Sequence, residues 1–159
     1  MPVPRKQLDR IDRRILALLQ RDATLPVAEI AHRVGLSQSP CWKRIQRLQA
    51  EGVIRGRVAL VEPEAVGLGL TAFVSVETSE HSEAQLDAFA AAVSAMPEVI
   101  ELHRMTGDVD YLLKVVVADN EAYRHFYRRL IAVGPIKKVT SRLSMERIKA
   151  TTVLPIDEA

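Results

Sequence analysis

The chain has 159 residues, 48% hydrophobic and 26% charged, with a formal net charge of +2 at pH 7 and one cysteine. That is enough apolar material for one or two small domains with cores of their own, and one cysteine excludes an intramolecular disulfide framework. No run approaches the length of a membrane span and Met1 to Lys6 lacks the apolar segment of a signal peptide, so a cytoplasmic protein is expected, of a bacterium or archaeon if the helix-turn-helix pattern described below holds. The near-neutral total conceals an asymmetry. Residues 1–60 hold 12 Lys+Arg against 5 Asp+Glu, and residues 61–159 hold 10 against 15. A basic half is the electrostatic footprint of a chain that displaces counterions from phosphates, and the acidic half confines that role to the N-terminus.

In chain order, Leu8, Ile11, Ile15, Leu18 and Leu19 recur at helical spacing and predict a first amphipathic helix ending near Arg21, with Arg10, Arg13 and Arg14 among its polar positions. Val27, Ile30, Ala31 and Val34 predict a second helix over about Pro26 to Val34. Gly35 ends it, because glycine reaches the left-handed backbone beyond a helix end without a Cβ clash. Ser37 is expected to cap the next helix through its side chain, and Pro40 falls in that helix's first turn, where a missing N–H is tolerated.

That third helix, about Ser37 to Ala50, turns Cys41, Ile45 and Leu48 inward and leaves Gln38, Ser39, Trp42, Lys43, Gln46 and Arg47 on the opposite face. Two helices joined by a short turn, the second rich in amide, hydroxyl and guanidinium groups, have the pattern of a helix-turn-helix DNA reader. The candidate DNA contacts are Gln38, Ser39, Pro40, Trp42, Lys43, Arg44 and Arg47, through base edges and phosphates. A cationic helix face is more often only a solvated surface, and Trp42 alone could be a packing residue. The segregation of charge favours the reader. Cys41, with no Cys or His at metal spacing nearby, is expected in the core. No metal or cofactor is expected.

After Gly52 the pattern becomes strand-like over Val53 to Val61, followed by Glu62-Pro63-Glu64 and Gly67-Leu68-Gly69. The expected organisation is a DNA-binding domain over 1–60, a linker over 61–70 and a second domain over 71–159. In the latter, Thr71 to Glu77 alternates as a strand, and Leu86, Phe89, Ala90 and Val93 mark a helix from about Ser82 to Ser94. Val99 to Thr106 and Tyr111 to Val117 read as strands joined by Gly107-Asp108-Val109-Asp110, residues suited to a tight hairpin. Tyr123, Phe126, Tyr127 and Leu130 mark another helix closed by Gly134-Pro135, and a last strand covers about Lys138 to Met145. The fold class is α+β: a three-helix, winged-type helix-turn-helix domain followed by a ferredoxin-like βαββαβ domain with both helices on one sheet face. Leu112, Leu113, Val115, Val116 and Val117 put apolar residues on both faces of one strand, so a second copy is expected to cover the open face. A symmetric dimer also presents two reader helices about 34 Å apart, one turn of DNA.

The chain resembles the Lrp/AsnC (leucine-responsive, feast/famine) transcription factors over nearly its whole length. The resemblance rests on Leu8-Asp9-Arg10-Ile11-Asp12, on Val34-Gly35-Leu36-Ser37 followed by Pro40-Cys41, on Arg47-Leu48 with Gly52-Val53-Ile54, and on Gly107-Asp108-Val109-Asp110-Tyr111-Leu112. Within the family, Pro40-Cys41-Trp42-Lys43-Arg44, the stretch Gly67 to Val74, and Met145-Glu146 with Thr151 to Ile156 resemble a branch of cysteine-responsive activators. It implies a homodimer, often built into tetramers or octamers on double-stranded DNA, with an amino-acid effector bound between C-terminal domains. Carried over by residue, the effector site involves Thr106, Gly107, Asp108, Asp110, Tyr111, Thr140 and Ser141. Such groups suit the ligand: carboxylates for an ammonium, N–H and hydroxyl donors for a carboxylate, and a glycine for close backbone approach. The glycine and aspartates could equally serve the hairpin alone. Arg142 stands where several relatives carry an aromatic or apolar residue. The branch points to cysteine as effector, with leucine or methionine next.

Two other classes compete. An enzyme could use Asp108 and Asp110 with His103 as an acid-base cluster. Against it, the turn is already explained by backbone needs, and there is no Gly-rich phosphate loop, metal-ligand spacing or nucleophile context. An architectural, nucleoid-type DNA binder without an effector is the stronger alternative; it predicts little sequence preference and no response to amino acids.

Overall fold

The first helix begins with a reciprocal lock. In the computed structural model, which describes residues 7–79 and 82–156, the Asp9 carboxylate accepts the N–H of Asp12 at 2.8 Å while the Asp12 carboxylate accepts the N–H of Asp9 at 3.2 Å. This capping box satisfies helix-end donors that have no partner within the helix. It opens α1 (Arg10–Arg21), followed by α2 (Val27–Val34) and α3 (Gln38–Ala50). Gly35 closes α2 at φ 75°, the left-handed backbone that its place in the sequence predicts. Ile15, Leu16, Ile30, Ala31, Val34, Cys41, Ile45 and Leu48 form one core between the three helices, and Cys41 is fully buried there as expected.

Two local expectations are corrected. Ser37 takes the N-cap position of α3, but its hydroxyl makes no capping hydrogen bond. Val53 to Val61 forms no strand in the described residues. A run of strand-forming residues is only half of what a strand requires; the other half is a hydrogen-bonded neighbour. Val58, Leu60 and Val61 instead stand 63–80% exposed.

The second unit follows a short 3₁₀ turn at Glu64–Val66. Its elements are β1 (Leu70–Thr78), α4 (Glu83–Ser94), β2 (Val99–Arg104), β3 (Tyr111–Val117), α5 (Asn120–Ile131) and β4 (Ile136–Leu143). The sheet order is β2-β3-β1-β4, antiparallel throughout, which is the predicted ferredoxin-like arrangement. Ala72, Val74 and Val76 of β1 and Tyr111, Leu113, Val115 and Val117 of β3 point to one face. There they pack with Phe89 and Val93 of α4 and with Phe126 and Leu130 of α5. Fully burying one such aliphatic or aromatic side chain contributes about 1.5–3 kcal/mol. The other face differs from expectation. Val116 is only 7% exposed, and the exposed large apolar side chain there is Phe73, which sits between Lys114 and Arg142 in the strand register. The open face is therefore mixed in polarity rather than a continuous apolar patch.

The chain divides into two compact units, Met1–Ala59 with Lys149–Ala159, and Leu60–Ile148. The described tail, 149–156, belongs with the first unit: Ile156 packs on the α1–α3 core. The Gln20 side chain also accepts from the Leu154 N–H at 2.7 Å and donates to its carbonyl at 3.3 Å. An amide side chain offers both a donor and an acceptor, so one glutamine satisfies both main-chain groups of a tail residue.

Candidate DNA-reading helix and effector turn

Helix α3 is two-faced by construction. With Cys41, Ile45 and Leu48 in the core, Gln38, Ser39, Pro40, Trp42, Lys43, Gln46 and Arg47 are exposed and Arg44 is half-buried. Trp42 is 50% exposed, more than a packing role requires. Pro40 is the third residue of α3, where its missing N–H breaks no helical hydrogen bond.

The cations of this face are not equivalent. Arg44 Nη1 donates to Asp9 Oδ2 at 2.6 Å and to Asp12 Oδ1 at 2.8 Å, and Arg47 Nη2 donates to Asp12 Oδ2 at 2.5 Å. The Asp12 side chain is 1% exposed, so its charge is compensated by two guanidiniums and a main-chain N–H. The N–H of Asp12 and then the Arg44 guanidinium hold the Asp9 carboxyl below the usual carboxylate range. Lys43 makes no hydrogen bond or ion pair among the described residues. Asp9, Pro40, Lys43, Arg44 and Arg47 line an open depression of about 400 Å³. Both arginines are expected DNA contacts, and the charge pattern of α3 alone does not show the aspartates that hold them. The signal was available: two aspartates three residues apart at a helix start have capping-box spacing.

The effector candidates are dispersed differently from expectation. Thr106, Gly107 and Asp108 lie together, exposed, in the turn between β2 and β3, with Gly107 at φ 120°. A side chain at that backbone angle is strained, so glycine is required by the turn itself. Asp108 makes no bond to another described residue. Asp110 is structurally committed, its carboxylate accepting from the Thr78 N–H at 2.7 Å and the Thr78 hydroxyl at 2.8 Å. Tyr111 is 1% exposed in the sheet–helix core, with its hydroxyl donating to the Leu86 carbonyl at 2.7 Å. Thr140 and Ser141 lie on opposite faces of β4: Thr140 pairs with Ser75 on the open face, and Ser141 receives the Tyr123 hydroxyl of α5 on the helix side. Burial raises the Tyr123 phenol above its ordinary pKa. Arg142 reaches the Ser75 hydroxyl at 3.4 Å on the open face. His103 faces Glu101 at 3.4 Å, whereas the Asp110 carboxylate is bound to Thr78. No group of three or more His, Cys, Asp or Glu among the described residues is arranged to hold a metal ion. No described helix is long and apolar enough to cross a membrane.

A helix-turn-helix unit with a two-faced third helix, joined to an antiparallel ferredoxin-like domain, defines the two-domain class of DNA-binding regulator with a separate ligand domain. Residues 8–55 match the family model described as winged helix-turn-helix DNA-binding, and residues 71–154 match that of the Lrp/AsnC ligand binding domain. The chain belongs to the Lrp/AsnC family of transcriptional regulators. It is 50% identical to the DNA-binding transcriptional activator DecR of Escherichia coli, over 94% of this chain and 99% of that one. It is similar to the crystal structure of an AsnC family transcriptional regulator from Agrobacterium tumefaciens, at TM-score 0.89 and 54% identity, covering 93% of this chain and 97% of that one. A Neisseria meningitidis transcriptional regulator solved as an L-Met complex matches at TM-score 0.89 and 37% identity, covering 95% and 98%.

Proposed function

We propose that this protein is a cytoplasmic, sequence-specific regulator of amino-acid metabolism genes whose grip on DNA is adjusted by a small amino acid. The observation that carries the reading is α3, whose inward residues are fully committed to a core while its outward face carries amide, hydroxyl, indole and cationic groups. In a homodimer two such helices enter successive major grooves about 34 Å apart. Gln38, Ser39, Trp42 and Gln46 meet bases and sugar-phosphate, Lys43 supplies a charge unpaired among the described residues, and Arg44 and Arg47 bring oriented guanidiniums.

The effector is an amino acid, cysteine before methionine or leucine, held near Thr106, Gly107 and Asp108. Support comes from the Asp108 carboxylate, without a partner among the described residues, in an exposed glycine turn, from the match to a family ligand-binding domain, and from the neighbour solved with L-Met. Asp110 and Tyr111 border the turn and are bonded inward, to Thr78 and to the Leu86 carbonyl, whereas Ser141 is exposed on β4 and bonds Tyr123. For the effector to act, it must bind two assembly states unequally, typically by about 1–3 kcal/mol.

A thermal-shift screen against the twenty amino acids tests the reading, because a ligand that binds the folded state raises Tm by mass action. One clear stabiliser names the effector. No stabiliser at millimolar concentration, with DNA binding intact, moves the protein to the effector-independent architectural class.

A further inference from the structure

Four charged side chains at the junction of α1 and α3 form one closed network. Asp12 bonds Arg44 through one oxygen and Arg47 through the other, and Asp9 bonds the same Arg44 nitrogen. The capping box ties both carboxylates to the backbone, which leaves them little freedom to move. The helix start does not need the arginines, since the box is complete without them. Nor is net stability a sufficient reason, because a buried ion pair contributes little compared with apolar side chains of the same size.

What the network does supply is orientation and cancelled charge. Each guanidinium has five N–H donors, and one nitrogen of each is engaged here. The free edges of Arg44 and Arg47, whose side chains are 29% and 42% exposed, line the open depression beside Lys43, which has no partner among the described residues. Two carboxylates offset the two guanidiniums, so this end of α3 attracts arbitrary phosphates chiefly through Lys43.

We propose that Asp9 and Asp12 form a specificity clamp for DNA: they hold Arg44 and Arg47 in one pose and suppress their indiscriminate attraction to phosphate. The two are positioning residues, acting on DNA through the arginines. Selectivity is a difference between right and wrong duplexes, and a fixed carboxylate penalises generic backbone docking while a matching duplex uses the oriented donors. The clamp rests on the reading of α3 as the DNA-entering helix.

Asp9→Asn is the decisive variant, because asparagine caps a helix as well as aspartate and the Asp9 side chain is 52% exposed, so the fold is retained. Asp12→Asn is its buried counterpart. The probes are a duplex that the wild-type chain enriches from a randomised pool and a scrambled duplex of the same composition, each titrated at 50 and 200 mM salt. Asp9→Asn is expected to bind the scramble more tightly at low salt and to prefer the selected duplex less. Its affinity ratio between the two salt concentrations widens about 3.5-fold for the one added charge. Asp12→Asn, if folded, shows the same direction more strongly. Unchanged salt dependence and preference in Asp9→Asn, with at most a lower Tm, overturns the clamp and leaves a scaffold. If wild type and Lys43→Ala bind both duplexes equally, the reading of α3 fails first and takes the clamp with it. A wild-type preference that Lys43→Ala weakens, beside an unaltered Asp9→Asn, removes the clamp alone.

Discussion

Lys43 and Arg47 lie one helical turn apart on α3 and are bound to different things, which separates what their loss reveals. Lys43→Ala removes an exposed cation with no partner among the described residues; Tm is expected to hold while the salt slope of DNA binding falls by about 0.9, read by titration across salt. Arg47→Ala leaves the Asp12 carboxylate short of a partner, so affinity and folding stability fall together, and affinity alone does not identify a contact. A similar pair lies in the effector turn. Asp110→Ala strands the Thr78 donors and is expected to lower unfolding free energy by about 1–3 kcal/mol in a denaturant titration. Asp108→Ala is expected to leave that titration unchanged and blunt the thermal shift given by the effector. For Asp9, whose folded pKa is lowered by the Asp12 N–H and then by Arg44, the sign follows from linkage. Its contribution is complete above the ordinary carboxylate pKa of about 4 and is lost as pH falls through the lower folded value. Acid unfolding of Asp9→Asn should therefore show a shallower loss in that window than wild type.

Among the elements, helices were read more reliably than strands, and the reason is local. A helix closes its own hydrogen bonds, so apolar spacing with Gly35 at one end was enough to place α2. A strand needs a neighbour, and the strand-like run 53–61 has none in the described residues. Alternation in β4 also separates two expected effector contacts: Thr140 and Ser141, being adjacent, cannot share a face. The contacts of the tail were likewise not legible, since nothing in 149–156 announces that Leu154 will meet Gln20 across 134 positions. Two variants separate the units. Ile45→Ala in the fully enclosed first core is expected to cost about 2–5 kcal/mol. Ile156→Ser should cost less and act on the same unfolding transition, while the transition of the sheet unit keeps its midpoint in calorimetry.

For the whole molecule, charge is divided as the work is divided. The basic residues of 1–60 include Arg10, Arg13, Lys43 and Arg55 without partners among the described residues, whereas the sheet unit carries the acidic excess. The proposed dimer draws on the open sheet face, where Phe73 is 41% exposed between Lys114 and Arg142. Phe73→Glu is expected to shift sedimentation toward the monomer while the single-chain fold survives, because that side chain contributes nothing to the helix-side core. Loss of the dimer also separates the paired α3 helices, so affinity for a two-site duplex falls much further than affinity for a single site.

The sequence by itself determined the element order, the three-helix core, the ferredoxin-like sheet and the two-faced character of α3, because each follows from spacing along one segment. Only the tertiary structure decided which cations are free, that Asp110 and Tyr111 face inward to Thr78 and Leu86, and where the tail lies. Those outcomes depend on groups distant in the chain arriving within about 3 Å of one another, and hydrogen-bonding distance is a property of the fold that no periodicity encodes.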